Sequence, residues 1–99
     1  MSPADSSKLR YALVFTEQYN RRAARFLKRH QDLRQQYLKT LQVLEANPTH
    51  PSLRLHPLRG KQDRLHSVSI NLSYRITLKL LIQDGQIIPV NVGNHDAVY

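Results

Sequence analysis

Ninety-nine residues, 40% of them hydrophobic, suffice for one small hydrophobic core and leave no room for a second. The chain has no cysteine, which excludes disulfides and thiolate-held metals. Its 15 basic and 7 acidic residues give a formal charge of +8, a field that favours polyanions: nucleic acid, an acidic protein or an anionic membrane surface.

Residues 1–8 hold Ser, Pro and Asp without an apolar period and are expected to form a frayed N-terminus. They lack the basic, apolar and small-residue order of a signal peptide. Nowhere does the chain approach the roughly 18 apolar residues of a membrane helix, so the default expectation is a cytoplasmic protein with no membrane partner. Over residues 9–15, Tyr11, Leu13 and Phe15 share one face with Val14 opposite, which predicts a strand leading directly into a helix. Thr16 suits the N-cap because its hydroxyl can accept from an orphan amide of the first turn, and Glu17 suits the positive end of the helix dipole. The first helix is predicted over residues 17–30, with Tyr19, Ala23, Phe26 and Leu27 as its buried stripe. Arg21, Arg22, Arg25, Lys28 and Arg29 cover the remainder, either as a solvated face or as a surface for phosphates or an acidic partner. Asp32 is expected to cap a second helix reaching about Ala46, with Leu33, Tyr37, Leu41 and Leu44 as its stripe and Leu38 in support. Asn47-Pro48 ends it, since the residue before proline is pushed out of helical geometry. With almost no loop between them, the helices form an antiparallel hairpin that can cover an apolar sheet face.

Residues 47–57 carry three prolines and two histidines and read as a connector with little secondary structure. Residues 65–71, 74–82 and 86–92 then alternate apolar and polar with a period of two, the pattern of a half-buried antiparallel sheet. Val68, Ile70, Leu72, Ile76, Leu78, Leu80, Ile82, Ile88, Val90 and Val92 are assigned to the buried face. Ser67, Ser69, Asn71, Arg75, Thr77, Lys79 and Asn91 are assigned to the other. Asp84-Gly85 predicts a type I′ turn between the last two strands. Pro89 cannot donate to a ladder and implies a bulge or an edge. The predicted fold is α+β: a strand, a two-helix antiparallel hairpin and a three-stranded antiparallel meander, forming a two-layer sandwich in one domain over residues 9–99.

A sheet so aliphatic on one side and so rich in hydroxyl, amide and cation on the other is either an ordinary solvated face or a floor for a polar ligand. Arg75 lies near the middle of that floor. His56, Lys61, Arg64 and the tail Gly93-Asn94-His95-Asp96-Ala97-Val98-Tyr99 flank it, in segments where loops place reactive groups on a rigid scaffold.

The order of elements, the lead-in His56-Pro57-Leu58-Arg59-Gly60, the run Ser69-Ile70-Asn71-Leu72-Ser73-Tyr74-Arg75, the Asp84-Gly85 turn and the tail from Val92 to Tyr99 together resemble the RelE/ParE superfamily of bacterial type II toxins. The resemblance covers about residues 9–99. It is nearest to the RelE-type messenger RNA interferases, with a YafQ-like placement of His56 and His95. It implies a RelE-like two-layer sandwich, ribosome-dependent endoribonuclease activity on messenger RNA, and silencing by a tightly bound cognate antitoxin expected to be acidic. It also implies an aromatic residue at Tyr99. The chain departs from the YafQ-like pattern at Ser69, where that group has a histidine, and at Ser73-Tyr74, where it has an acid followed by tryptophan, so catalysis would rest on fewer groups.

The chemistry is consistent with the residues at hand. Cleaving RNA without a metal needs a base for the 2′-hydroxyl, cations for the crowded phosphorane and an acid for the 5′ leaving oxygen. His56 and His95 suit the two proton roles, because an ordinary imidazole offers both forms near neutral pH. Arg75 projects from the polar face and its fork of donors matches phosphate oxygens. Lys61 and Arg64, then Arg59 and Lys79, are candidate RNA contacts. Tyr99 can stack on a base or lend its phenol to proton transfer. His66 falls on the core side by parity and is assigned to packing. No glycine-rich phosphate loop, close histidine pair or nucleophile elbow occurs, so no cofactor or metal is expected. The alternative functions are a ParE-type inhibitor of DNA gyrase that cuts no RNA, and a basic binding domain without activity.

Overall fold

In the computed structural model of the chain, which describes residues 11–58 and 65–94, helix α1 (Glu17–Arg29) starts where the Thr16 hydroxyl accepts from the Tyr19 amide at 3.0 Å. That cap contributes about 1 kcal/mol. Tyr19, Ala23 and Phe26 are buried and Leu27 is half-buried, as the helical period requires. The helix closes at His30, whose amide donates to the carbonyls of Phe26 and Leu27. Residues Gln31–Leu33 tighten into a 3-10 turn, and α2 (Arg34–Ala46) follows with Leu33 in the N-cap position and no side-chain cap. The expectation that Asp32 caps the second helix is therefore corrected: Asp32 lies inside the turn. Leu38 is also corrected, being 46% exposed. It lies one residue, and so about 100°, around the helix from Tyr37. Thr40, three residues on from Tyr37, takes the buried position and donates its hydroxyl to the Gln36 carbonyl at 2.8 Å. Asn47 is extended, with φ −160°, and ends α2 as its proline neighbour demands. No helix among the described residues is long and apolar enough to cross a membrane.

The two helices meet through one buried polar contact, Tyr19 Oη to Tyr37 Oη at 2.8 Å. Burial raises the pKa of both phenols, that of Tyr19 far above the usual tyrosine range, so both stay protonated at neutral pH and each must share or receive a hydrogen.

The helices cover a sheet of five strands in the order β1-β5-β4-β3-β2, namely β1 (Ala12–Leu13), β2 (His56–Pro57), β3 (Leu65–Ser69), β4 (Tyr74–Leu81) and β5 (Gln86–Asn94). The three long strands form the expected meander. To it are added β2, antiparallel to β3, and β1, parallel to β5. The first strand is shorter than predicted: β1 holds two residues, and residues 9 and 10, like the N-terminal segment 1–8, lie outside the described residues. Tyr11 and Leu13 pack against the core, whereas Phe15 is 43% exposed and stacks on Tyr19 at 6.2 Å between ring centroids.

Val68, Ile70, Ile76, Leu78, Leu80 and Val92 are buried with the helix stripes, as parity predicts. Four members of the predicted core face are not. Leu72 is 83% exposed because the β3–β4 connection turns before it: the Asn71 side-chain oxygen accepts from the amides of Ser73 and Tyr74 at 2.8 and 2.9 Å. Asn71 is thus a turn residue and not part of the polar strand face. Ile82 is 66% exposed because it opens a four-residue turn over residues 82–85. In that turn only Gly85 has positive φ, at +66°, so it is not the type I′ turn expected of Asp84-Gly85. Ile88 and Val90 are displaced by a bulge: Leu78 pairs with Pro89 and Thr77 with Asn91, leaving Val90 without a partner. Ile87 and Pro89 consequently face the core beside Leu80 and Leu78, and Ile88 lies opposite Lys79 on the far face.

Candidate functional site

Register fixes which side chains share the polar face, since residues directly opposite in neighbouring strands project to the same side. One row runs Ser69, Arg75, Gly93 across β3, β4 and β5. The next runs His56, Ser67, Thr77, Asn91 from β2 to β5. A third holds Leu65, Lys79 and Ile88. His56, Arg75 and Lys79, three of the sequence-predicted site residues, therefore stand on one face. From strand spacing and rise, the α-carbons of His56 and Arg75 are roughly 12 Å apart, a gap that two long side chains span around one phosphate.

The hydroxyls of this face are not solvated. Ser67 is 1%, Thr77 3% and Ser69 8% exposed, which removes the reading of an ordinary wet sheet surface. Ser69 donates to the Asn71 carbonyl at 2.6 Å, a bond that braces the hairpin instead of facing a ligand. The Ser67 hydroxyl is buried with no hydrogen-bond partner among the described residues. So are the Nε and Nη1 atoms of Arg75, although the side chain as a whole is only half-buried. Unpaired donors on a charged group withdrawn from water are costly, and a guanidinium in this state on the polar face favours an anion nearby.

His56 is held by its own loop. The preceding Arg54 has φ +50°, in the left-handed region that a non-glycine residue adopts only when its surroundings impose it. This kink brings the Arg54 carbonyl to 3.1 Å from Nδ1 of His56. A carbonyl only accepts, so Nδ1 carries the proton and Nε2 of the neutral ring is left as the base. His66 pairs with Leu78 and Pro57 on the opposite side, in keeping with its assignment to packing.

His95, Tyr99, Arg59, Lys61 and Arg64 lie outside the described residues. Ser67, Thr77 and Asn91 were expected on this face; that His56 shares their row was not legible, because it depends on a two-residue β2 too short to show a period.

No protein-family model matches the sequence, and no curated protein is similar to it at a significant level. Solved structures do match. YafQ from E. coli strain BL21(DE3) superposes with a TM-score of 0.67 at 20% identity, covering 90% of this chain and 98% of that one. A chain of the E. coli DinJ-YafQ toxin-antitoxin complex gives 0.66 at 23% identity, over 91% and 98%. The YoeB dimer from Staphylococcus aureus gives 0.68 at 16% identity, over 87% and 98%. With two helices laid on a five-stranded mixed sheet in this order, the chain has the RelE-like fold of the bacterial toxins YafQ and YoeB.

Proposed function

We propose that the chain is the toxin of a type II toxin-antitoxin system and acts as a ribosome-dependent, metal-independent endoribonuclease on messenger RNA. The observation that carries this reading is Arg75, whose two solvent-shielded donors have no partner and whose face also holds His56. The RelE-like fold supports it, as does the net charge of +8, which suits both RNA and an acidic cognate antitoxin. In this mechanism one histidine takes the proton of the 2′-hydroxyl and the freed oxygen attacks the adjacent phosphorus. Arg75 holds the charge that gathers on the phosphorane. The 5′-oxygen leaves with a proton from the second histidine, and a 2′,3′-cyclic phosphate remains. His56, with Nε2 free, takes the base role; His95 is assigned the acid role, Tyr99 the stacking or phenol role, and Arg59, Lys61, Arg64 and Lys79 the phosphate contacts.

The test is to induce the chain in bacteria and map messenger RNA 5′ ends over the following minutes, beside an Arg75→Ala/His95→Ala control. New cuts at codon-related positions that vanish in the control are expected. Growth arrest with intact messages would instead identify a gyrase-type inhibitor, and cutting by the control as strong as by the wild type would refute the assigned site.

A further inference from the structure

Tyr74 and Arg75 are neighbours on β4 and so project to opposite sides of the sheet. On the helix side Tyr74 joins a ring cluster: its centroid lies 5.4 Å from Phe26 and 4.7 Å from His30, and Phe26 and His30 are 4.7 Å apart. His30 and Tyr74 stay half-exposed at the end of a groove of about 470 Å³ that runs between α1 and residues 91–94 of β5. Arg22, Arg25 and Arg29, at helical spacing, form its other wall, and none of the described residues that line it is acidic. Arg22 is fixed by donating Nη1 to the Val90 carbonyl at 3.0 Å. Arg25 and Arg29 are exposed and form no ion pair among the described residues.

We infer that this groove is a second RNA-binding site, in which Arg25 and Arg29 hold phosphates of a single strand and the His30–Tyr74 rings stack on a base. Both arginines would serve a carboxylate as well as a phosphate. The rings decide between them, because a nucleotide uses cations and planar faces together, whereas an acidic peptide uses only the cations. The position fits one continuous strand: Arg75 and Tyr74 share a single rim of the sheet, so RNA leaving the Arg75 face passes over that rim into the groove. The inference rests on the RNA-cleaving reading only in naming RNA as the polyanion.

The experiment is fluorescence anisotropy of a fluorescein-labelled 12-residue oligouridylate with the purified chain across a salt series. Arg25→Ala/Arg29→Ala is expected to weaken binding about tenfold or more at 0.1 M salt and to reduce the slope of log affinity against log salt by about 1.4, two phosphates at ~0.7 each. Tyr74→Leu is expected to weaken it at least about fivefold with the slope unchanged. If thermal melting shows that Tyr74→Leu disturbs the fold, His30→Gln replaces it. A charge-matched control on α2, Arg34→Ala/Lys39→Ala, should keep wild-type affinity.

An affinity loss in the control equal to that of the groove variant, wild-type binding by both groove variants, or no binding by the wild type overturns the proposal. So does a groove variant that loses affinity for a polyglutamate peptide while holding oligouridylate normally, since the groove would then be a peptide site. Messenger cleavage by the wild type with unaltered oligouridylate binding by the groove variants would sink this site and leave the proposed function standing. Groove-dependent binding without any cleavage would do the reverse.

Discussion

Arg75 makes a prediction in which stability and activity move in opposite directions. Its Nε and Nη1 are shielded from water and unpaired, on a side chain that is otherwise half-buried. A buried donor without a partner costs about 1–3 kcal/mol. The remainder of the side chain is half-exposed, so the lower part of that range is appropriate here. Arg75→Met keeps the aliphatic stem against the sheet and deletes the donors. The expected gain is therefore about 1 kcal/mol, which for a chain of this size raises Tm by about 4–8 °C. Phosphate extends the test, because an anion seated on the guanidinium stabilises only the wild type. At ten times its Kd it adds about 1.4 kcal/mol to the wild type and nothing to the variant. Messenger cleavage by Arg75→Met should fall by about 10²–10³, the usual loss when one donor to a developing anion is removed. Thermal melts followed by circular dichroism, with and without phosphate, read the stability arm; 5′-end mapping reads the other. If Arg75→Met melts below the wild type, the guanidinium is a structural group whose donors the fold satisfies, and the anion site argued from it does not exist.

Two further predictions concern the core. Because the Tyr19 and Tyr37 hydroxyls satisfy one another at 2.8 Å in a buried setting, either single change to Phe strands the other hydroxyl. Each should cost about 1–2 kcal/mol in urea unfolding while the double variant costs less than the sum by about 1 kcal/mol, and strict additivity would show that the pair is not coupled. Alkaline pH attacks the same pair. Folded-state pKa values raised above the unfolded value of 10.0 mean that the unfolded chain releases protons which the folded one retains. Their stabilisation is complete below pH 10 and is lost as pH rises beyond it, by up to about 1.4 kcal/mol per pH unit for each tyrosine until its own folded pKa is reached. Tyrosinate absorbance should therefore rise together with the loss of helical circular dichroism; ionisation of both buried tyrosines in a chain that stays folded would contradict their burial.

What the sequence made legible is what local rules decide. The Thr16 cap, the Tyr19-Ala23-Phe26 stripe, the stop at Asn47-Pro48 and the alternation of β3 and β4 each depend on residues within a few positions of one another. That alternation put Arg75 on the correct face. Failures arose where a distant segment or an extra residue intervened. Nothing near Ala12 announces its parallel pairing with Gln86, and two residues at His56-Pro57 are too few to show a period. Asp32 carries a capping side chain, but the tight 3-10 turn moved the helix start past it. The arginines of α1 were visible as a charge run. The rings that give the run a direction were not, because Tyr74 reaches Phe26 and His30 only through the fold.

Pro89 shows how one irregularity can serve both layers. Strict alternation from Ile87, which is in the core, would carry Asn91 inward and Val92 outward. Proline has no amide to give the ladder, so the pairing is weakest beside it. Val90 is the residue inserted there without a partner. The insertion reverses parity once: Asn91 returns to the row of Thr77 and Ser67 on the polar face, and Val92 returns to the core opposite Ile76. The carbonyl of Val90 is not wasted, because Arg22 donates to it and so ties α1 to the middle of β5. Both the row that holds His56 and the wall that faces the α1 arginines thus depend on a single added residue. The same residue is why the face assignment of Ile88 and Val90 was beyond a reading by period alone.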